Sequence, residues 1–211
     1  IRTRMLGHLQ NIDSDLAKKV AEALGMKGQA DKISPRVPVG DPNPSQPLSQ
    51  YSVAPKSLAG KKIGLLTTDQ VDDVLYTKLV KLAKTELATL EVVAPKIGPI
   101  NTNKGKEIVP DHFLAGAPSI LFDCVIVAPA PKHAEWLARV AAAVDWIRDA
   151  FAHLKVIGFN QAADPMFQKA SVKTDDNDEG VVNISRGDLN AFAKASKKHR
   201  IWERESKTRS H

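Results

Sequence analysis

The sequence has very few residues of several chemically useful kinds. It contains one cysteine, Cys124, which excludes an internal disulfide and any cysteine-based zinc site. Only 5% of its residues are aromatic, so we expect no platform for stacking nucleic-acid bases. No apolar run approaches the ~18 residues that a membrane-spanning helix needs, so we predict no membrane partner. These shortages argue against disulfide-stapled, zinc-finger and membrane-embedded proteins.

The charge of the chain is moderately basic. Lys and Arg number 30 against 24 Asp and Glu, which gives a formal net charge of +6. Much of this excess lies near the ends, at Arg2, Arg4, Lys197, Lys198, Arg200, Arg204, Lys207 and Arg209. Clustered cations can contact phosphate, but solvated terminal segments explain them more simply, so we predict no nucleic-acid partner. We interpret residues 206–211 as a basic tail.

The chain is organised as a short helix, an arm and a domain. Residues 1–26 are predicted to carry one helix, with Asp13 as its N-cap and an apolar stripe formed by Leu16, Val20 and Leu24. Residues 27–56 are so rich in proline that we predict a linker, or an arm laid over a surface. Because the chain starts at Ile1 without a secretory signal, we expect a processed or excised piece of a longer protein.

Residues 57–205 alternate between strand and helix patterns. Apolar runs predict strands at 61–68, 90–94, 124–128, 155–159 and 180–185. Helix patterns lie at the segment with Val71, Leu75, Leu79 and Leu82, at 133–152 and at 187–199. Turn residues in 95–110 indicate a small hairpin. The alternation predicts an α/β fold, a flavodoxin-like three-layer sandwich with a mainly parallel sheet, preceded by the short helix and the Pro-rich arm.

The strand at 155–159 ends where chemistry would lie if the chain performed any. Gly158 and Ala162 stand two residues before and two residues after Asn160. This is the spacing of a nucleophile elbow, in which a strand turns sharply into a helix and presents one strained side chain. Asn tolerates a positive φ, so the turn can form. Its amide is not a usable nucleophile, so we interpret the site as an elbow without its reactive group.

Other polar patterns have simpler explanations than a site. The acidic run at 175–179 resembles the start of a calcium loop, but its twelfth position is Arg186 instead of Glu. His133 and Glu135 have zinc-deaminase spacing without the required cysteine pair. His112 and His153 are isolated. We therefore expect a solvated acidic loop and hydrogen-bonded or surface histidines, with no metal site.

Four further features are assigned to structure and not to function. Residues 67–72 follow the first strand without the Gly-x-Gly-x-x-Gly pattern, and their acids would repel a pyrophosphate, so nucleotide binding is disfavoured. The glycosylation sequon at Asn183 lies in a predicted strand, where we expect it to be unused. Cys124 is expected to be a buried, inert thiol. Trp136 and Trp146 are interpreted as core or interface anchors.

Several motifs, taken in order, resemble the C-terminal domain of large-subunit haem catalases. They are Asp111-His112-Phe113-Leu114-Ala115-Gly116-Ala117-Pro118-Ser119, the Asp123–Ala128 strand, His153-Leu154-Lys155 and His199-Arg200-Ile201-Trp202. The resemblance covers nearly the whole chain. Residues 1–26 resemble the final helix of the catalase core, 27–56 its Pro-rich connector and 57–205 the appended domain. The implied parent is a haem catalase that decomposes hydrogen peroxide.

That domain is similar to the class I glutamine amidotransferase-like, or PfpI-like, superfamily, which includes proteases, glyoxalases or deglycases, and stress chaperones. In its active members the elbow carries a Cys, assisted by a carboxylate from the turn after the first strand. Carried over by position, these sites fall on Asn160 and Asp72, with Gln161 after the elbow residue. The resemblance therefore implies a vestigial elbow and no catalytic residue in this chain.

The resemblance also places the haem outside this chain. Family haem iron is held by a Tyr that follows an Arg by four residues, whereas Tyr51 and Tyr76 follow Pro47 and Asp72 at that distance. Three functions remain: a structural domain of a tetrameric catalase, a holdase chaperone, and a residual hydrolase or glyoxalase. We favour a non-catalytic stabilising domain with holdase capacity, whose partners are the parent core, its tetramer and unfolded client proteins. Both roles need an exposed apolar patch.

Overall fold

The computed structural model describes residues 1–37, 40, 47, 56–174 and 178–208. The chain divides into two compact units, residues 1–53 and 54–211, and each is described by itself. Most of the prolines of the predicted arm lie outside the described residues. The same holds for Tyr51, for residues 175–177 of the acidic run and for 209–211 of the basic tail.

Residues 1–26 of the first unit form two helices, so the prediction of one helix over this range is wrong. Helix α1 is Arg2–Leu9 and helix α2 is Ser14–Ala23. The break follows from the cap: Asp13 is extended (φ −155°, ψ 120°), and its Oδ1 accepts hydrogen bonds from the backbone N–H of Asp15 and Leu16. The N-cap prediction is therefore confirmed, and the chain before it cannot continue the same helix.

The predicted apolar stripe of α2 is not its buried face. Leu16 and Leu24 remain 44% and 43% exposed, whereas Ala17 and Ala21 are buried. Small side chains permit a close approach of α1 and α2, which are in contact. Hydrophobic periodicity alone located the helix but did not identify which side of it packs within this unit.

The second unit is built on a parallel six-stranded sheet. Its strands are β1 (Lys62–Thr67), β2 (Thr89–Ala94), β5 (His112–Phe113), β6 (Cys124–Ala128), β7 (Ile157–Phe159) and β8 (Val181–Asn183). Their order is β5-β2-β1-β6-β7-β8, and every neighbouring pair is parallel. The antiparallel pair β3 (Ile100–Asn101) and β4 (Glu107–Ile108) confirms the predicted hairpin. Because the order reverses at β1, the topological switch point lies between β1 and β6.

Helices cover both faces of this sheet and define two apolar clusters. On one face, residues of α3 (Asp73–Thr85) and α7 (Asn190–Ser196) pack on alternate strand residues. On the other face pack α4 (Pro131–Leu137), α5 (Ala141–Ala152) and α6 (Asp164–Ala170). A final short helix, α8, spans Glu205–Thr208. The predicted α/β class with a flavodoxin-like three-layer arrangement is confirmed.

The long helix predicted for 133–152 is in fact two helices, α4 and α5. Val140 lies between them with a non-helical backbone (φ −84°, ψ 111°). The change of direction lets both segments contact α6 and bury Leu137 and Ile147 in the same cluster. Trp146 is buried and its Nε1 donates to the Ala117 carbonyl, which confirms it as a core anchor, whereas Trp136 is half exposed.

Candidate functional site

The predicted elbow lies at the carboxyl end of β7, but it is not strained. Asn160 follows the strand with φ −92° and ψ 159°, which is ordinary extended backbone. A 3-10 turn over Gln161–Ala163 then leads into α6. Because the bend is spread over this turn, no residue at the elbow needs a positive φ. The expectation of a sharp turn with a strained side chain was wrong, although strand does give way to helix here.

The Asn160 amide is tied to the neighbouring loop. Its Nδ2 donates to the Pro129 carbonyl over 3.0 Å, and its backbone N–H donates to Val127. Its Oδ1 is buried and has no hydrogen-bond partner among the described residues. Gly158 is small for a different reason than the elbow motif requires: a Cβ there would lie 3.0 Å from the Phe192 ring of α7. Helix packing, and not catalytic geometry, explains this glycine.

Gln161 and Asp72, the other two residues assigned to the vestigial elbow site, also have structural contacts. Gln161 is exposed, and its backbone N–H donates to Ser185 Oγ over 2.7 Å. Asp72 is the N-cap of α3, where its Oδ1 accepts from the Leu75 N–H over 2.7 Å. Within the described residues, no hydrogen bond or ion pair joins Asp72 to Asn160 or Gln161. Strand β6 separates the strands that precede these two loops.

The switch point is closed by hydrogen bonds of the protein itself. Thr67 Oγ1 donates to the Ala128 carbonyl over 2.7 Å, and Thr68 Oγ1 accepts from the Ala130 N–H over 2.9 Å. Asp69 accepts from the Asn101 N–H, and this bond is the main cause that holds the pKa of its carboxyl below the usual value. At this switch point, where α/β proteins commonly hold a ligand, Thr67, Thr68 and one oxygen of Asp69 are thus bound to the protein's own backbone.

The lone thiol is poorly suited to chemistry. Cys124 is buried in β6, as predicted, and burial raises the pKa of its thiol to about 12. At neutral pH it is therefore protonated, and only the thiolate is a good nucleophile. It begins the central strand β6, whereas the elbow follows the end of β7.

The described tyrosine does not fit a haem ligand. Tyr76 lies within α3, half-buried, with the Lys106 ammonium 5.2 Å from its ring centre. Burial, followed by the nearby Asp111 charge, raises the pKa of its phenol, which disfavours the phenolate that would hold iron. Asp72, and not an arginine, stands four residues before it.

The histidines are spread over separate places. His112 Nε2 lies 2.7 Å from Glu91 Oε2, and His133 Nδ1 lies 3.0 Å from the Asp69 carbonyl oxygen. His153 is exposed at the end of α5. Among the described residues, no group of three or more His, Cys, Asp or Glu side chains could hold a metal ion.

Two buried cations were not anticipated from the sequence. Lys155 is 1% exposed, and its Nζ donates to the carbonyls of Ser119 (2.7 Å) and Phe122 (2.6 Å). Burial is the main cause that lowers the pKa of its ammonium group to about 8. Lys155 precedes β7, and both acceptors precede β6, so this contact ties strand ends together on the side opposite to the elbow. The only sign in the sequence is a lysine at the start of an apolar run.

Arg204 is the second buried cation and belongs to the same structure. Its Nε and Nη2 bind both oxygens of Asp178, at 2.7 and 2.9 Å. Its Nη1 donates to the Lys155 carbonyl over 2.7 Å, and its guanidinium lies 4.4 Å from the centre of the Phe151 ring. Arg204, in the C-terminal segment, thereby binds Lys155, whose own ammonium binds the carbonyls of Ser119 and Phe122.

The described surface also carries large apolar side chains. Outside the first unit, they include Leu87, Ile97, Val109, Phe113, Ile120, Leu121, Trp136 and Trp202. A search of the described residues found no helix with the length and hydropathy to span a membrane. Apolar contact surface is therefore more evident on this unit than a poised chemical group.

Comparison with known proteins assigns the family. The family described as the C-terminal domain found in long catalases matches residues 59–206. Catalase C of Rhizobium meliloti is 38% identical over 207 residues, which cover 97% of this chain and 29% of that protein. Catalase HPII of Mycobacterium avium is 30% identical over 223 residues, 97% of this chain and 30% of that protein.

A further relative, Catalase HPII of Pseudomonas aeruginosa, is 28% identical over 204 residues, 96% of this chain and 28% of that protein. The chain thus spans less than a third of the length of each of these relatives. The resemblance that the motifs around residues 111–119 and 199–202 indicated is confirmed. This chain belongs to the family of C-terminal domains found in long catalases.

Proposed function

We propose that this chain is a non-catalytic domain of a long catalase that stabilises the tetramer and acts as a holdase for unfolding proteins. Haem binding and the decomposition of hydrogen peroxide belong, in this proposal, to the portion of the long catalase that this chain does not match. The observation that carries the proposal is the bonding at the elbow. The amide at residue 160, the position that the superfamily resemblance assigns to the nucleophile, is bound to the Pro129 carbonyl, and Asp72, the position that it assigns to the acid, caps a helix.

The contrast with an activated nucleophile supports the non-catalytic part. Nucleophilic catalysis needs a hydroxyl or thiol with a base within hydrogen-bond reach, or a thiol of lowered pKa. Cys124 has a raised pKa and is buried, and Asn160 has no acidic proton to lose. A residual hydrolase or glyoxalase is therefore the less favoured alternative. Turnover of methylglyoxal or of a peptide that Asn160→Ala or Asp72→Ala abolishes would restore that alternative.

The exposed apolar side chains support the holdase part. Ile120 and Leu121 are adjacent in sequence and are 57% and 50% exposed. They lie in the loop whose two ends, at the Ser119 and Phe122 carbonyls, accept hydrogen bonds from the Lys155 ammonium. A rigid apolar surface can bind the apolar segments of an unfolding protein without losing much conformational entropy of its own.

Heat-induced aggregation of an unrelated enzyme tests the holdase directly. The chain, added at equimolar or lower ratio, should suppress light scattering, and Ile120→Ser/Leu121→Ser should weaken that suppression. Lys81→Ser/Lys104→Ser is the matched control, because it changes two exposed side chains without removing apolar surface. No suppression at any ratio would remove the holdase function. For the structural role, a long catalase of this family that lacks the domain should lose its tetramer at a lower temperature.

A further inference from the structure

The apolar loop, residues 119–122, lies beside a guanidinium group. Arg200 Nη1 donates to the carbonyl of Asp123, which directly follows the loop, over 3.4 Å. The same nitrogen donates to the His199 carbonyl over 2.9 Å. The Arg200 side chain is half-buried, so part of it is open to solvent. A cation is therefore held at the border of the apolar loop.

Arg200 differs from the cations around it in having no carboxylate partner. Three lysines near it in space or in sequence each bind one carboxylate, in the pairs Lys61–Asp123 (3.4 Å), Lys197–Glu86 (2.7 Å) and Lys198–Glu179 (2.6 Å). Among the described residues, no hydrogen bond or ion pair joins Arg200 to a carboxylate. A guanidinium can bind a carboxylate through two nitrogens at once, so this group has unused capacity for an anion.

A second cation lies beneath the same loop. Lys155 Nζ binds the carbonyls at the two ends of the loop. Burial, followed by the charge of Arg200, lowers the pKa of this ammonium group, so the two cations lie close enough to repel each other. An anion that approaches Arg200 is attracted by both charges. The surroundings of the apolar loop therefore favour a negatively charged ligand.

Exposed apolar side chains border this guanidinium on two segments of the chain. Ile120 and Leu121 are 57% and 50% exposed in the loop, and Trp202, two residues after Arg200, is 38% exposed. Tryptophan and arginine are the residue types that most often contribute strongly to protein binding. The surface therefore combines apolar contact area with one site for a carboxylate.

We propose that this surface binds extended apolar segments that carry an adjacent glutamate or aspartate, whose carboxylate binds Arg200 while the apolar side chains pack on Ile120 and Leu121. The inference rests on the proposed holdase function and names the class of client segment that this function favours. Natural proteins often place charged residues beside their apolar strands. A protein that unfolds therefore exposes segments of this kind.

Two labelled peptides that differ at one position test this preference. Each has four consecutive apolar residues, followed by glutamate in one peptide and by glutamine in the other. Fluorescence anisotropy should show about fivefold tighter binding of the glutamate peptide, as expected of one partly exposed ion pair. The difference should shrink at high salt, which screens the ion pair. Ile120→Ser/Leu121→Ser should weaken the binding of both peptides.

Variants of Arg200 separate its charge from the apolar contact. Arg200→Gln should bind the two peptides with equal affinity. Arg200→Lys keeps the positive charge and should retain part of the preference for glutamate. Arg139→Gln is the matched control, because it removes an exposed arginine that follows α4, outside this surface, and it should keep the full preference.

The peptide and aggregation measurements together distinguish this inference from the holdase function. Equal affinity for the two peptides, or no binding of either, in a chain that suppresses aggregation would overturn the inference and leave the holdase function in place. A preference for glutamate that persists in Arg200→Gln would also overturn the inference. If the chain neither suppresses aggregation nor binds either peptide, the proposed holdase function itself is wrong.

Discussion

The two ends of the parallel sheet differ in how they use polar groups. At the carboxyl ends of the strands, Asn160 and Asp72 make single hydrogen bonds to the backbone near the surface. At the amino ends, Lys155, Arg204 and Asp178 form a buried assembly with several short hydrogen bonds. The strongest electrostatic interactions are therefore opposite to the end where α/β folds bind ligands.

The buried charges at the amino end have a structural role. Lys155 and Arg204 direct their donors mainly to backbone carbonyls and to one carboxylate, all of which connect segments distant in sequence. A buried cation that donates to several acceptors fixes the positions of the segments it joins. In this domain, the buried cations lie at the amino end of the sheet, and Asn160 and Asp72 lie at its carboxyl end. Each end can be altered separately.

The largest effect is expected from removing the buried guanidinium. Arg204→Met leaves Asp178 without its bidentate partner and the Lys155 carbonyl without its donor. Loss of one member of a buried ion pair costs about 3–5 kcal/mol. The free energy of unfolding, measured by urea denaturation, should fall by that amount.

Arg148→Met is the matched control for this change. The Arg148–Asp145 pair is exposed on both sides, and exposed pairs contribute about 0–1 kcal/mol. If the two variants lose equal stability, the amino end of the sheet is not held together by its buried charges.

The next effect is a pH dependence that originates at Lys155. Its folded-state pKa of about 8 is below the usual value of 10.5, so the unfolded chain binds more protons between these pH values. Stability due to this group must therefore rise as the pH increases from 8 toward 10. The rise is on the order of 1–3 kcal/mol. Thermal unfolding measured over this pH range should show this rise in stability, and the rise should be absent in Lys155→Met.

Lys81→Met separates this effect from the general titration of lysines. Lys81 is exposed, so its removal should leave the alkaline slope unchanged. A slope that persists in Lys155→Met would mean that other groups titrate in this range and that Lys155 is not their source.

A smaller effect is expected at the carboxyl end, from Asp72. Asp72→Ala removes the N-cap bond to Leu75 and should lower the free energy of unfolding by about 1 kcal/mol. Asp73→Ala is the control, since Asp73 is in the first turn of α3 but is not its cap. Because Asp72 caps α3, we expect neither change to affect the proposed holdase activity. A selective loss of activity in Asp72→Ala at unchanged stability would contradict this assignment.

The sequence predicted the strands better than it predicted where one helix ends and the next begins. Continuous apolar runs identified β1, β2 and β6, because burial on both faces leaves such runs in the sequence, whereas helix α6 (Asp164–Ala170) was not predicted. Periodicity did not reveal either helix break. The break at Asp13 follows from its N-cap bonds, and the break at Val140 lets α4 and α5 both contact α6. The buried state of Lys155 depends on carbonyls more than 30 residues away, which no local pattern reveals.

The elbow illustrates the same limit at the candidate site. Residue spacing located the end of β7 and the amide at Asn160, and both are where the pattern placed them. Spacing did not determine the backbone angles, because the 3-10 turn at Gln161–Ala163 offers a relaxed route into α6. Nor did it show that Gly158 makes room for Phe192.

The smallest effect is expected when a thiol is placed at residue 160. In Asn160→Cys the new thiol would sit on relaxed backbone, with Asp72 engaged as a helix cap, so nothing would lower its pKa from the usual ~8.5. At neutral pH this partly buried thiol should therefore be alkylated no faster than the thiol of the exposed control Gln161→Cys. Neither variant should turn over methylglyoxal or peptides. A thiol at 160 that reacts many-fold faster than the control at neutral pH would show that the surroundings still activate a nucleophile, and the carboxyl end would then retain a catalytic site.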